Sequence, residues 1–270
     1  MYRRKTYRRK VPKKRTYKRK SYAPKREPIR KIVRREIARN IENKTIQQYN
    51  YDRTLVTPQD NSTFLNQNVF PLGPDPASLV INQGTGQANR IGNQIKTKKL
   101  LFKGTLVALP YDAVFNTTPR PVQLKMWIFY DKEDPTAVPL PLTNFFQNGN
   151  SSKGFQGDLT DLWSPINTDR YRVVASKTFK LGMQEYNTAG GGTSANQFFT
   201  NNDFKYNANF SFDLTKHYPQ VVKFNDTTAT PTTRGLFCMI SYASATGGGF
   251  PLGSTVVGSQ YMQHYEFEDA

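Results

Sequence analysis

Cysteine is almost absent from this chain. Of its 270 residues only Cys238 carries a thiol, which excludes an intrachain disulfide. Histidine is nearly as scarce. His217 and His264 are the only two, and with one thiol they fall short of the ligand clusters that hold zinc, so no cofactor or metal is expected. No apolar run approaches the length of a membrane span. No apolar signal-like stretch stands at the N-terminus, so secretion is not expected. The six Asn-x-Ser/Thr sequons, Asn61-Ser-Thr and Asn225-Asp-Thr among them, then read as polar loops. Acidic residues are missing altogether from Met1 to Arg26.

That last absence is matched by an excess of the opposite sign. Residues 1–26 carry fourteen Lys or Arg, and residues 1–44 carry twenty against Glu27, Glu36 and Glu42, a net +17. The whole chain is +18, so the remaining 226 residues are nearly neutral at +1. The reading is a basic arm over 1–44 and a body over 45–270 large enough to bury a core. A block of like charge repels itself and stays unfolded until a polyanion neutralises it. Nucleic acid is the leading partner. An anionic membrane surface is the weaker one, because the first 26 residues offer only Val11, Ala23 and tyrosines where a membrane-surface helix needs an apolar face. Membrane insertion is not expected. Farther on, Ile29, Ile32, Val33, Ile37 and Ile41 recur at spacings of three and four between arginines, with Pro28 ahead of them. This pattern predicts a short basic amphipathic helix over 29–42, against the alternative of a connector unfolded in isolation.

From Thr45 onward the periodicity is that of strands. In Phe204–Leu214, FKYNANFSFDL, the residues Phe204, Tyr206, Ala208, Phe210, Phe212 and Leu214 alternate with polar ones, predicting a strand with that face buried. In Val122–Tyr130, VQLKMWIFY, one face is apolar throughout and the other carries Trp127 and Phe129 beside Gln123 and Lys125, so that face is expected to be covered in part. Further strands are expected at Thr45–Leu55, Ile95–Leu109, Tyr171–Leu181, Val221–Phe224, Leu236–Ala243 and Gln260–Glu268. Val56–Gln94 and Asp131–Arg170 read as long loops, and the triple glycines at 190–192 and 247–249 as turns. No helical pattern lies between strands, which excludes a parallel α/β sheet. The expected fold is all-β, an eight-stranded antiparallel jelly roll of two packed sheets.

Catalytic chemistry finds little purchase, and the chain is not read as an enzyme. Cys238 lies in the apolar run Leu236-Phe-Cys-Met-Ile, where a buried thiol is expected rather than a Cys–His nucleophile. His264 reads as a strand residue. Gly84-Thr-Gly86 lacks the third glycine and the following helix of a dinucleotide fingerprint. Asp131, Glu133 and Asp134 read as a solvated acidic turn rather than a cation site. Nothing supports Asp158 and Asp161 as a catalytic pair.

The arm carries the binding chemistry. Arg3, Arg4, Lys5, Arg8, Arg9, Lys10, Lys13, Lys14, Arg15, Lys18, Arg19, Lys20, Lys25, Arg26, Arg30, Lys31, Arg34, Arg35 and Arg39 are the candidate phosphate contacts. They would bind through counterion release, with little sequence preference. Tyr2, Tyr7, Tyr17 and Tyr22 are candidates for stacking on unpaired bases, or else spacers in a low-complexity tail. Pro12, Lys13, Lys14 and Arg15 with Lys18, Arg19 and Lys20 match a nuclear import signal, as many basic tails do, so an import receptor is a second expected partner. In the body, Lys96, Lys98, Lys99 and Lys103 share one predicted strand. They read either as an extension of the nucleic-acid surface or as the lysines that protect a solvated edge strand.

Three segments carry a resemblance. GTGQANRIGNQIKTKKLLFKGTL (Gly84–Leu106), VQLKMWIFYDKEDP (Val122–Pro135) and DRYRVVASKTFKLG (Asp169–Gly182), in this order behind a basic arm, resemble blocks of the capsid proteins of circular single-stranded DNA viruses that encode a replication initiator, the circovirus-like and geminivirus-like coat proteins. Ala175-Ser176 departs from that pattern, which often has Tyr-Asp there. The resemblance implies a jelly roll that assembles with itself into a T=1 icosahedral shell of about sixty copies. It implies arms directed inward onto a single-stranded DNA genome, loops forming the outer surface, and a life in the virion and the host nucleus. The host receptor is not legible. About sixty arms would bring on the order of 1,000 positive charges, enough for on the order of 1,000 phosphates. A monomeric nucleic-acid-binding protein with a basic tail, or the coat protein of a small RNA virus or satellite, are the alternatives.

The arm makes one expectation measurable. Binding of a fluorescent single-stranded oligonucleotide should weaken steeply with salt, with a log–log slope on the order of −10, and should differ little between base sequences. A shallow slope would show that the arm's charges are not on phosphates.

Overall fold

The computed structural model describes residues 43–57, 68–110, 114–117, 119–133, 143–182, 205–226, 228–251 and 253–269, with Ile29 and Asp112 besides. The chain divides into two units, Met1–Asn40 and Ile41–Ala270. The expected helix over 29–42 lies outside the described residues apart from Ile29.

Eleven strands run through the described part of the second unit: β1 (Lys44–Leu55), β2 (Val69–Leu72), β3 (Gln94–Ala108), β4 (Val122–Asp131), β5 (Phe146–Asn148), β6 (Ser151–Lys153), β7 (Tyr171–Leu181), β8 (Asn207–Asp213), β9 (Val221–Lys223), β10 (Leu236–Ser244) and β11 (Val257–Asp269). One sheet has the order β1-β11-β3-β8, with β9 added to β3, and the other has the order β2-β10-β4-β7. All these pairings are antiparallel. If β5, β6 and β9 are set aside as insertions, the other eight strands fall in chain order 1-8-3-6 and 2-7-4-5. This is the double Greek key of the jelly roll, as the sequence predicts.

The register places β1, β3, β7 and β10 with their first residues at one end of the sandwich, and β2, β4, β8 and β11 with their last residues there. We call this the proximal end, because β1 begins at it. The connections 73–93, 132–170 and 214–235 cross it.

The core between the sheets follows from strand alternation. β3 points Ile95, Leu100, Phe102 and Leu106 inward, and β4 faces them with Val122, Leu124, Met126 and Ile128. Phe102 packs with Phe70, Phe210 and Tyr261 at centroid separations of 4.9–5.8 Å. Each such side chain withdrawn from water contributes roughly 1.5–3 kcal/mol. Gln263 of β11 joins the two sheets. Fully buried, it donates to the Pro71 carbonyl at 3.1 Å and accepts from the Gly73 N–H at 2.8 Å. Gly73 has φ +89°, and a Cβ there would stand 2.6 Å from the Tyr218 ring, so conformation and space both require glycine.

The outer face of β4 departs from expectation. Trp127 and Phe129 are covered completely, by a second cluster that includes Phe145, Phe146, Phe155, Leu162 and Tyr171. The segment read as a loop, Asp131–Arg170, supplies this cover through the β5–β6 hairpin and a 3₁₀ turn at Leu159–Leu162. Strands of three residues are too short to show a period in sequence. β2 escaped for another reason. Pro71, Gly73 and Pro74 punctuate it as a loop, yet it is an edge strand, where proline is tolerated.

β8 is shorter than predicted and less buried. Phe210 and Leu214 are buried, Ala208 and Phe212 half-buried, Tyr206 is 55% exposed, and Phe204 lies outside the described residues. β8 stands at the edge of the main ladder, and among the described residues no further strand covers its flank. Eight strands were expected and the jelly roll uses eight. However, β9 was counted among them where β2 belongs.

Two expected outcomes test this packing. Trp127→Ala should destabilise the fold by about 3–5 kcal/mol in urea titrations, since its ring packs edge-on to Phe145, Phe146 and Phe155. Burial also pushes the phenols of Tyr242 and Tyr265 above their ordinary range. The unfolded chain then loses these protons near pH 10 while the folded one retains them, so stability should fall as pH rises above about 10. Replacing both tyrosines by Phe should flatten that decline, measured as urea midpoints from pH 8 to 11.

Candidate nucleic-acid interface

Every arm residue proposed to touch nucleic acid or an import receptor lies outside the described residues. The described surface offers three features of its own.

The first is the outward face of the β1-β11-β3-β8 sheet. At Lys98 a bulge shifts the register, so that Glu266 pairs Lys99 and Phe267 pairs Thr97. Lys98 and Lys99 thereby both stand on the solvent face, with Lys96 and Lys103. β3 is flanked by β11 and by β8 and β9, so these lysines do not guard an edge strand, and that alternative is overturned. Three of them answer acidic neighbours on β11. Lys96 lies 3.8 Å from Glu268, Lys98 pairs with the same carboxylate, and Lys99 lies 3.4 Å from Glu266. A hydrogen bond from His264 at 2.8 Å, with Lys99 adding to it, holds the Glu266 carboxyl below its usual range. Most of this lysine charge is therefore answered within the sheet.

Lys103 differs. Among the described residues it forms no ion pair, and it lines a shallow trough of about 430 Å³ with Tyr49, Tyr51, Asn209 and Gln260. Tyr49 and Tyr51 stack with centroids 5.7 Å apart and planes 3° from parallel, and Tyr51 is 71% exposed. They project together because residues i and i+2 of a strand share a face. An exposed aromatic pair beside a lysine is chemistry suited to unpaired bases.

The second feature is a pocket of about 250 Å³ at the proximal end, lined by Tyr130, Arg172, Val174, Lys216, His217, Tyr218, Pro219 and Arg234. Sequence reading missed it. Its cations come one or two at a time from distant segments, so no local run announces them.

The third is a polar cleft of about 520 Å³ beside Glu133, Asp169 and Arg170. Asp131 is not a solvated acidic residue here. It is fully buried, accepts from Arg170 at 3.2 and 3.3 Å and caps the Glu133 N–H at 2.9 Å. Glu133 is exposed and meets the same guanidinium at 3.1 Å. The acidic turn is thus organised by one arginine, and Asp134 lies outside the described residues.

The remaining candidates are structural. Cys238 is fully buried in the core, and burial pushes its thiol up, away from nucleophilic use. His264 sits on the opposite, outward face of β11, bound to Gln47 and Glu266, and His217 is exposed at the proximal end. Asp158 caps the 3₁₀ turn through the Thr160 N–H at 2.9 Å, and buried Asp161 accepts from the Gln156 and Gly157 N–H groups at 2.7 and 2.8 Å. No cluster of three or more metal-ligating side chains occurs among the described residues.

No family model matches the chain. No curated protein matches it either. Among solved structures it is similar to the structure of the Macrobrachium rosenbergii nodavirus, at 10% sequence identity and a TM-score of 0.35, over 99% of this chain. The chain spans 61% of the length of that one. So loose a superposition decides nothing about fold or function, and the strand order stands by itself.

The pairing of the β3 lysines gives a measurable expectation. Lys98→Gln should change affinity for single-stranded oligonucleotide by less than about twofold at 150 mM salt, because its charge is already answered by Glu268. Lys103→Gln should weaken binding more, measured in the same fluorescence-anisotropy titration.

Proposed function

We propose that this protein is a structural viral capsid protein. On this reading it assembles with itself into a T=1 icosahedral shell of about sixty copies, and its basic arm, residues 1–44, packages a circular single-stranded DNA genome. The observation that carries the reading is the union of a jelly-roll body at +1 with a terminal segment at +17. A neutral two-sheet body lets copies approach without mutual repulsion, while the segregated charge binds phosphate. Exposed apolar side chains support self-association. Trp163 is 70% exposed and Val114 75%, with Phe115 and Ile91 also on the surface. Contacts between copies would remove them from water.

The same arm serves as the nuclear import signal through Pro12–Arg15 and Lys18–Lys20, and assembly takes place in the host nucleus. Single-stranded DNA rather than RNA rests on the family resemblance of the three segments. The arm's phosphate contacts suit either polymer.

Negative-stain electron microscopy of the expressed protein, with absorbance at 260 and 280 nm on the particle fraction, tests the proposal. Uniform closed particles with excess 260 nm absorbance are expected, and nuclease typing then assigns DNA or RNA. Removal of residues 1–44 should preserve the strand content seen by circular dichroism while stripping most of the nucleic acid. Small monodisperse species at every salt concentration, with or without single-stranded DNA, would reject the shell and leave a tailed nucleic-acid-binding protein. Trp163→Glu should reduce particle yield without altering the circular dichroism spectrum.

A further inference from the structure

The proximal pocket gathers cations that the fold does not otherwise use. Arg172 is the second residue of β7, Lys216 lies beside His217 in the turn after β8, and Arg234 precedes β10. These segments are far apart in sequence and meet only because the jelly roll brings the starts of β7 and β10 and the end of β8 to one end. Arg172, Lys216, His217 and Arg234 are all exposed. Among the described residues no carboxylate lines the pocket, and none of Arg172, Lys216 and Arg234 forms an ion pair. On the β3 lysines, by contrast, acidic partners stand opposite. Asp213 is near enough to Lys216 to feel its charge, but it stands outside the pocket lining. The floor is formed by the nearly buried rings of Tyr130 and Tyr218. Like charges held together without counter-charges repel one another, and an anion relieves that repulsion.

We infer that this pocket is a phosphate-binding site on the jelly-roll body, which takes a backbone phosphodiester of single-stranded nucleic acid. Arginine offers two parallel donors to the phosphate oxygens, and Lys216 adds a point charge. One observation favours nucleic acid over another polyanion. The pocket opens at the end of the sandwich where β1 begins, so the chain that carries the +17 segment is joined to the body at this same end. A strand neutralised by that segment is held at high effective concentration near the pocket. The inference rests on the nucleic-acid reading of the arm and adds a second, folded contact to it. The body then fixes the polymer at a defined place, where the arm alone would hold it diffusely.

The test uses the full-length protein in four forms: wild type, Arg172→Gln/Lys216→Gln/Arg234→Gln, a form with the arm's Lys and Arg at positions 3–20 changed to Gln, and the combination. Each is titrated with a fluorescein-labelled thymidine 20-mer across a salt series, after circular dichroism has verified the fold. In the arm-neutralised background, the three pocket substitutions should lower affinity about tenfold at 50 mM salt. They should reduce the log–log salt slope by about 2, since each phosphate contact on a single strand contributes about 0.7. Unchanged affinity and slope in that background would overturn the inference while leaving the arm's role intact. Failure of the wild type itself to bind the 20-mer would overturn the nucleic-acid reading instead. A sulfated oligosaccharide forms the second arm of the experiment. If the pocket substitutions weaken its binding but spare the 20-mer, the site belongs to a sulfated glycan and the nucleic-acid assignment fails.

Discussion

The last strand of the chain holds the first sheet together. β11 lies between β1 and β3 and pairs with β3 from Val257 opposite Ala108 to Asp269 opposite Ile95. Its inward residues Tyr261, Tyr265 and Phe267 belong to the shared core, and Gln263 ties it to the end of β2 in the opposite sheet. The core between the sheets is incomplete without these residues. β1 therefore waits for a partner more than 200 residues away, as Lys44 opposite Phe267 shows. Such non-local pairing folds slowly, because loop closure must precede the contacts that reward it.

The two sheets then differ in what they present outward. The β2-β10-β4-β7 sheet is buried on both faces over β4 and β10, since the chain after β4 folds back as an aromatic cover. The β1-β11-β3-β8 sheet keeps a solvent face of lysines, carboxylates and two stacked tyrosines. Asymmetry of this kind gives the body two chemically distinct exteriors. The ends of the sandwich differ as well. The proximal end carries a cation pocket with no acidic lining among the described residues, while the polar cleft nearby has its arginine paired to two carboxylates.

Much of the candidate site was hidden for a single reason. Arg172, Lys216 and Arg234 are ordinary surface cations in sequence, each within a few residues of polar neighbours, and nothing local links them. The run Lys96–Lys103, by contrast, is conspicuous in sequence and proves mostly paired. Cross-strand neighbours decide which lysines retain charge to offer, and only β11 brings Glu266 and Glu268 opposite them. Tyr49 and Tyr51 look like any alternating strand pair, and only the fold shows that their shared face is left open to solvent as an exposed stack.

The amino-acid sequence by itself determined the division of charge, the all-β class, the approximate limits of most long strands and the burial of Cys238. These follow from composition and from a period of two, which are local properties. The tertiary structure decided the strand order, the double burial of Trp127 and Phe129, the ion pairing of Asp131 and of the β3 lysines, and the proximal cation pocket. Each of these depends on residues far apart in the chain meeting across a sheet or at a sandwich end. Such meetings are set by which distant strands pair, which a local period of two does not specify.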